Sequence, residues 1–126
     1  MSNEFKIEII SPKQNVYSGK TEEAVLPCFE GQITVLKNHI PLITFLRPGI
    51  IEIGKNEKFY TEDGTVEFSN NNLLILSETA QSLKSLNTDQ INTMIDATKK
   101  EISKNQISDK LNYILNYKLE TLKHIN

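Results

Sequence analysis

Apolar and polar side chains alternate over the first two-thirds of the chain. In Phe5-Lys6-Ile7-Glu8-Ile9 the apolar residues share one face and the charged ones the other, the two-residue period of a half-buried strand. The same period predicts strands over 21–27, 31–36, 41–46, 49–54, 57–62, 64–69 and 72–78. Turn signals separate them: Ser18-Gly19, Glu30-Gly31, Lys37-Asn38, Pro48-Gly49, Asp63-Gly64 and Asn70-Asn71-Asn72. Many short strands with regular turn punctuation predict an all-β sandwich or barrel, read here as an antiparallel β-sandwich over residues 1–85. Leu73 to Leu76 are apolar on both faces, which puts their strand inside the sheet rather than at its edge.

Beyond Ser85 the apolar period lengthens to between three and four residues, with no Gly or Pro to interrupt it. Asn87 is placed to cap a first helix with Gln90 in capping-box spacing, and Ile91, Met94, Ile95 and Ile102 then share a face. Residues 103–107 break the pattern. Ser108 caps a second helix whose stripe is Leu111, Ile114, Leu115, Leu119 and Leu122. The spacing therefore predicts an antiparallel helical hairpin over 86–126. About forty residues is near the size below which a chain rarely folds alone, so the hairpin needs a surface to lean on.

Composition narrows the chemistry. The 126 residues carry 14 Lys+Arg against 16 Asp+Glu, which leaves neither a nucleic-acid footprint nor an acidic tail. No apolar run reaches the roughly 20 residues of a membrane-spanning helix, and the first ten residues do not read as a signal peptide. Cys28, the single cysteine, and His39 are the only pair that suggests a thiol nucleophile with its base, and a lone Cys in a strand is usually a small buried hydrophobe. His39 and His124 are too far apart in sequence for a local metal motif, and no glycine pattern forms a phosphate cradle. Nothing calls for a cofactor. Glu8, Glu22, Glu52 and Glu67 fall at polar positions of strands, where solvent exposure is expected. Tyr113 and Tyr117, one turn apart, are read as hairpin packing ahead of an aromatic ligand platform.

At residues 30–49 the sequence EGQITVLKNHIPLITFLRPG is specific. It resembles the segment EGELGVLPGHAPLLTxLKPG of the epsilon subunit of rotary ATP synthases, the delta subunit of mitochondria. Glu30, Gly31, Val35, Leu36, His39, Pro41, Leu42, Thr44, Leu46, Pro48 and Gly49 stand at the family spacing. FKIEIISPKQNVYSGK is similar to the family's opening strand and turn, and NLLILSETA to the "VTVLADTA" that closes its β domain. Lys37-Asn38 stands where the family has Pro-Gly, a substitution that Asn tolerates because it accepts left-handed backbone.

The resemblance implies a non-catalytic rotor subunit of the F-type proton-translocating ATP synthase, peripheral on the cytoplasmic face of the bacterial inner membrane. It would couple c-ring rotation through the gamma subunit to ATP synthesis and inhibit hydrolysis through its hairpin. His39, Pro41 and Leu42 would then face gamma, the alternative for His39 being to hold its own turn. Glu30, Gly31 and Gln32 would sit at the c-ring end, and Lys99 and Lys110 would meet the acidic surface of the alpha/beta catalytic head. Some relatives bind ATP through [IL]-D-x-x-R-A; here that position reads Leu86-Asn87-Thr88-Asp89-Gln90-Ile91, without the carboxylate and guanidinium anchors, so no ATP site is expected. Two competing readings are a free-standing β-sandwich binding module for carbohydrate or peptide and a small hydrolase using Cys28.

Overall fold

The computed structural model describes residues 3–104 and 108–125. Ten strands precede two helices: β1 (Phe5–Ile10), β2 (Asn15–Thr21), β3 (Glu23–Cys28), β4 (Gly31–Leu36), β5 (Leu42–Leu46), β6 (Gly49–Ile53), β7 (Glu57–Thr61), β8 (Gly64–Ser69), β9 (Asn72–Leu76) and β10 (Gln81–Ser82), then α1 (Thr88–Ile102) and α2 (Asp109–Ile125). The strands hydrogen-bond in the order β10-β7-β6-β3-β5-β8-β9-β1-β2, with β4 on β3. β3 folds this path into two layers, because Ala24 and Val25 pair with β6 while Cys28 pairs with Leu46 of β5. All pairings are antiparallel except β1 with β9, where the first long strand meets one separated from it by most of the sandwich, ample chain for a parallel crossover.

The inward positions of the alternating strands make one core: Phe5, Ile7, Ile9, Leu26, Val35, Ile51, Phe59, Val66, Phe68, Leu73 and Ile75 are among its buried residues. Burying each such side chain contributes roughly 1.5–3 kcal/mol. Phe5 meets Phe68 edge to face with centroids 5.6 Å apart. β9 lies between β8 and β1, inside the sheet as its two-faced apolarity predicts.

Two strands escaped the sequence reading, and one predicted turn is not a turn. Ser18 and Gly19 lie inside β2, where Gly19 pairs with Ile7. Its lack of a side chain makes room for the Tyr17 ring, whose hydroxyl would stand 2.9 Å from an added Cβ. That ring reaches across to Phe59 of the other layer. β10 is only two residues long, too short to show a period. The turn at Asn38 is left-handed as expected, with φ 66°, and so are Asn70 and Asn71. The Asn38 amide N–H donates to Asn71 Oδ1 at 2.7 Å, tying the β4–β5 turn to the β8–β9 turn. At the end of the sandwich, Ser77 Oγ accepts from the amides of Thr79 and Ala80, turning the chain toward β10.

The hairpin forms as its caps predict. Asn87 and Gln90 make the reciprocal capping box, and Ser108 Oγ accepts from the Leu111 amide. Residues 105–107, within the predicted break, lie outside the described residues. Ile91 and Ile95 of α1 and Leu122 of α2 pack with Tyr60 of β7, flanked by Ile50, Leu83, Leu86, Met94 and Leu119. The start of α1 thus meets the end of α2, and the sandwich supplies the surface the hairpin requires. Leu111, placed on the apolar stripe by its spacing, is instead exposed.

Because Leu122 is fully buried between hairpin and sandwich, Leu122→Ala should cost about 2–5 kcal/mol of docking free energy. Hydrogen exchange should show α1 and α2 amides losing protection while the strands keep theirs. Equal loss in both would mean the two unfold as one unit.

Candidate functional site

The outer face of β5-β8-β9-β1-β2 is laid out in rows by its register. One row runs Phe45, Thr65, Leu76, Ile10, and the next runs Ile43, Glu67, Leu74, Glu8, Ser18. A third carries Ser69, Asn72, Lys6 and Lys20. Ile43 is 77% exposed, Phe45 58% and Leu76 47%, and Ile40 in the adjoining turn is 75% exposed. Scattered exposed hydrophobes are ordinary, but neighbouring ones on one sheet face mark an interaction surface. The patch continues into a groove of about 870 Å³ lined by Ile10, Phe29, Phe45 and Leu76, with Lys110 on its wall.

Sequence reasoning missed Ile40, Ile43, Phe45 and Leu76, although the signal was present. Residues 73–76, and 41–46 apart from the inward Thr44, are apolar at both inward and outward positions, the mark of strands covered on both sides. In this chain one of those sides is bare.

His39 holds its own turn. Its amide donates to the Leu36 carbonyl at 3.1 Å, its Nδ1 lies 2.7 Å from the Ile40 carbonyl, and its ring stands edge-on to Phe68 with centroids 5.9 Å apart. Pro41 is exposed and Leu42 half-buried beside it, next to the apolar rows. Glu30 lies in the β3–β4 turn and Gly31 and Gln32 open β4, at the opposite end of these strands, with Gly31 at φ 127° and open space where a Cβ would stand. Lys99 and Lys110 are exposed at the loop end of the hairpin. Glu22 and Glu67 are exposed; Glu8 and Glu52 are half-buried, and Glu52 pairs with Lys58 at 3.6 Å.

Tyr113 and Tyr117 do not pack the two helices together. They lie on the sandwich: Tyr113 stacks with Phe29 at 6.4 Å, Tyr117 meets Tyr113 at 4.8 Å, and the Arg47 guanidinium sits 4.1 Å from the Tyr117 ring centre. The Tyr117 ring face attracts the Arg47 cation electrostatically. Hydrogen bonding to Tyr117, with some desolvation, raises the Tyr113 phenol. Further along, Lys118 pairs with Glu62 at 3.2 Å, and Glu62 accepts from the buried Tyr60 hydroxyl at 3.0 Å. Burial, then the Glu62 charge, pushes the Tyr60 phenol up.

Cys28 and His39 are not brought together. Cys28 pairs with Gly31 and Leu46, whereas His39 follows the far end of β4 and precedes β5, about 15 Å away at strand rise. Burial pushes the Cys28 thiol up to about 11 despite the nearby Arg47 charge, so almost no thiolate exists at neutral pH. Iodoacetamide at pH 8 should alkylate the folded chain at least about 100-fold more slowly than the urea-unfolded chain. Equal rates would revive the nucleophile reading.

A family model described as "ATP synthase, Delta/Epsilon chain, beta-sandwich domain" matches residues 4–83. The chain is 38% identical over 130 residues to the ATP synthase epsilon chain of Pelagibacter ubique, with all of both chains covered. It is 31% identical over 106 residues to that of Rhizobium etli, covering 81% of this chain and 78% of the relative. In solved structures its fold is similar to a chain of the Euglena gracilis mitochondrial ATP synthase, with TM-score 0.79, 13% identity and 98% and 82% coverage of the two chains. It is similar as well to a chain of the Tetrahymena thermophila mitochondrial ATP synthase central stalk and c-ring, with TM-score 0.67, 14% identity and 94% and 93% coverage. Over its sandwich by the family model and over its full length by identity, the chain belongs to the ATP synthase delta/epsilon chain family.

Proposed function

We propose that this chain is the non-catalytic central-stalk subunit of a proton-translocating ATP synthase, held at the cytoplasmic face of the bacterial inner membrane by its partners. The observation that carries the reading is the bare apolar face of β5 and β9 on a chain of this family. Among the described residues no helix is long and apolar enough to cross a membrane, so attachment would run through other subunits.

In this reading residues 1–85 dock and residues 86–126 regulate. Gamma lies over Ile40, Ile43, Phe45 and Leu76, with Pro41 and Leu42 at the margin and His39 fixing the turn that presents them. The turn at Glu30, Gly31 and Gln32 points to the other end of the sandwich and meets the c-ring. Lys99 and Lys110, exposed near the hairpin loop, suit an acidic surface on the alpha/beta head.

An aspartate in the middle of the patch should separate docking from folding, because Ile43 is exposed and contributes little to the core. Ile43→Asp should lower the unfolding midpoint only slightly, through the like charge of Glu67 opposite it, and weaken binding to gamma at least tenfold, about 1.4 kcal/mol. Titration of the labelled chain into catalytic heads stripped of it measures this, and unchanged affinity would remove gamma from that face.

We further propose that the hairpin acts without sensing ATP at 86–91. Supporting this, Asn87 Oδ1 accepts from the Gln90 amide at 2.8 Å and Gln90 Oε1 from the Asn87 amide at 3.0 Å, so both residues at the anchor positions are spent on capping α1. Calorimetric titration with Mg-ATP should give no saturable signal below millimolar concentrations; micromolar binding would overturn the reading.

A further inference from the structure

The apolar face contains one feature that does not suit a purely apolar partner. Glu67 stands in its middle, opposite Ile43 on one side and Leu74 on the other. Along its own strand its same-face neighbours are Thr65 and Ser69, and it forms no ion pair among the described residues. Glu8 lies beyond Leu74 in the same row, about 10 Å from Glu67 at sheet spacing. Its surroundings differ, since Lys6 shares its strand face and Lys20 faces Lys6. Glu67 has no cation in any adjoining position of its face.

While the chain is alone this costs nothing, because water solvates the exposed carboxylate. Covering the face changes the balance. A carboxylate taken out of water without a partner costs several kcal/mol, enough to offset the burial of Ile43 and Phe45. A surface that covers these residues therefore has to present a cation to Glu67, and a guanidinium is best suited, being weakly hydrated and bidentate toward carboxylates.

We propose that Glu67 is the charge that selects the docking partner of this face: the surface seated on Ile43, Phe45 and Leu76 carries an arginine or lysine opposite Glu67, ringed by apolar side chains. This rests on the reading that gamma docks here, and it adds the chemistry that gamma must present. The apolar residues supply area, and Glu67 fixes register and rejects surfaces without the matching cation.

Three full-length variants test it in titrations into catalytic heads stripped of the native chain, with thermal unfolding as the check on folding. Glu67→Gln keeps the shape and removes the charge; it should bind at least tenfold more weakly, and its affinity should fall less steeply with added KCl than that of the native chain. Glu67→Leu separates the models by sign. A partner without a cation would bind it more tightly, whereas a partner with one, left facing a leucine, should bind it more weakly still. Equal or tighter binding of either variant, while Ile43→Asp still loses affinity, would overturn the proposal and leave the docking face standing. Unchanged binding of Ile43→Asp would remove the docking face, and the role of Glu67 with it.

Discussion

A sandwich made from one continuous sheet has two outer faces, and the helices of this chain cover only part of one. That shortage of cover governs the rest of the molecule. α1 and α2 close over Tyr60 and Ile50 on the β6–β7 side, while the outward residues of β5 and β9 on the other layer meet water. The core is complete without them: Val66, Phe68, Leu73 and Ile75 are all buried from the inner side. Ile43, Phe45 and Leu76 therefore do nothing for the fold that a polar residue would not do. Their apolarity is what the proposed gamma contact would use.

The hairpin is held by two kinds of contact. Near the ends of the chain segment, Ile91, Ile95 and Leu122 share a small core with Tyr60. Toward the loop, α2 rests on the sandwich through the Phe29–Tyr113 stack and the Arg47–Tyr117 contact. Cation–π and aromatic contacts at such sites contribute on the order of 1 kcal/mol each, less than a buried leucine. The contacts toward the loop are thus the weaker of the two sets.

The chemistry is that of recognition. The thiol is buried and protonated, the histidine of the matched block braces its own turn, and the carboxylates sit at solvent positions. What varies across the surface is polarity: an apolar row, a row in which apolar residues and carboxylates alternate, and a row with lysines. To the proposed partner this face would present a graded pattern, which would fix orientation in a way that a uniform apolar patch cannot.

Much of this was legible in the sequence, because strand periods, caps and turn residues act locally. The alternation in β1, β4 and β8, the left-handed turn at Asn38 and the capping box at Asn87 all follow from neighbours a few residues apart. The family block at 30–49 was legible for the same reason, as a fixed order of residues. Tertiary structure alone decided what depends on distant pairing. Gly19 is a strand residue because Ile7 of β1 pairs with it. Tyr113 and Tyr117 belong to the sandwich because Arg47 and Phe29 are there to receive them. Glu67 reads in sequence as one more solvated carboxylate. Its isolation among Ile43 and Leu74 exists only once three strands come into register, since a residue's neighbours across a sheet are set by pairing and not by position in the chain.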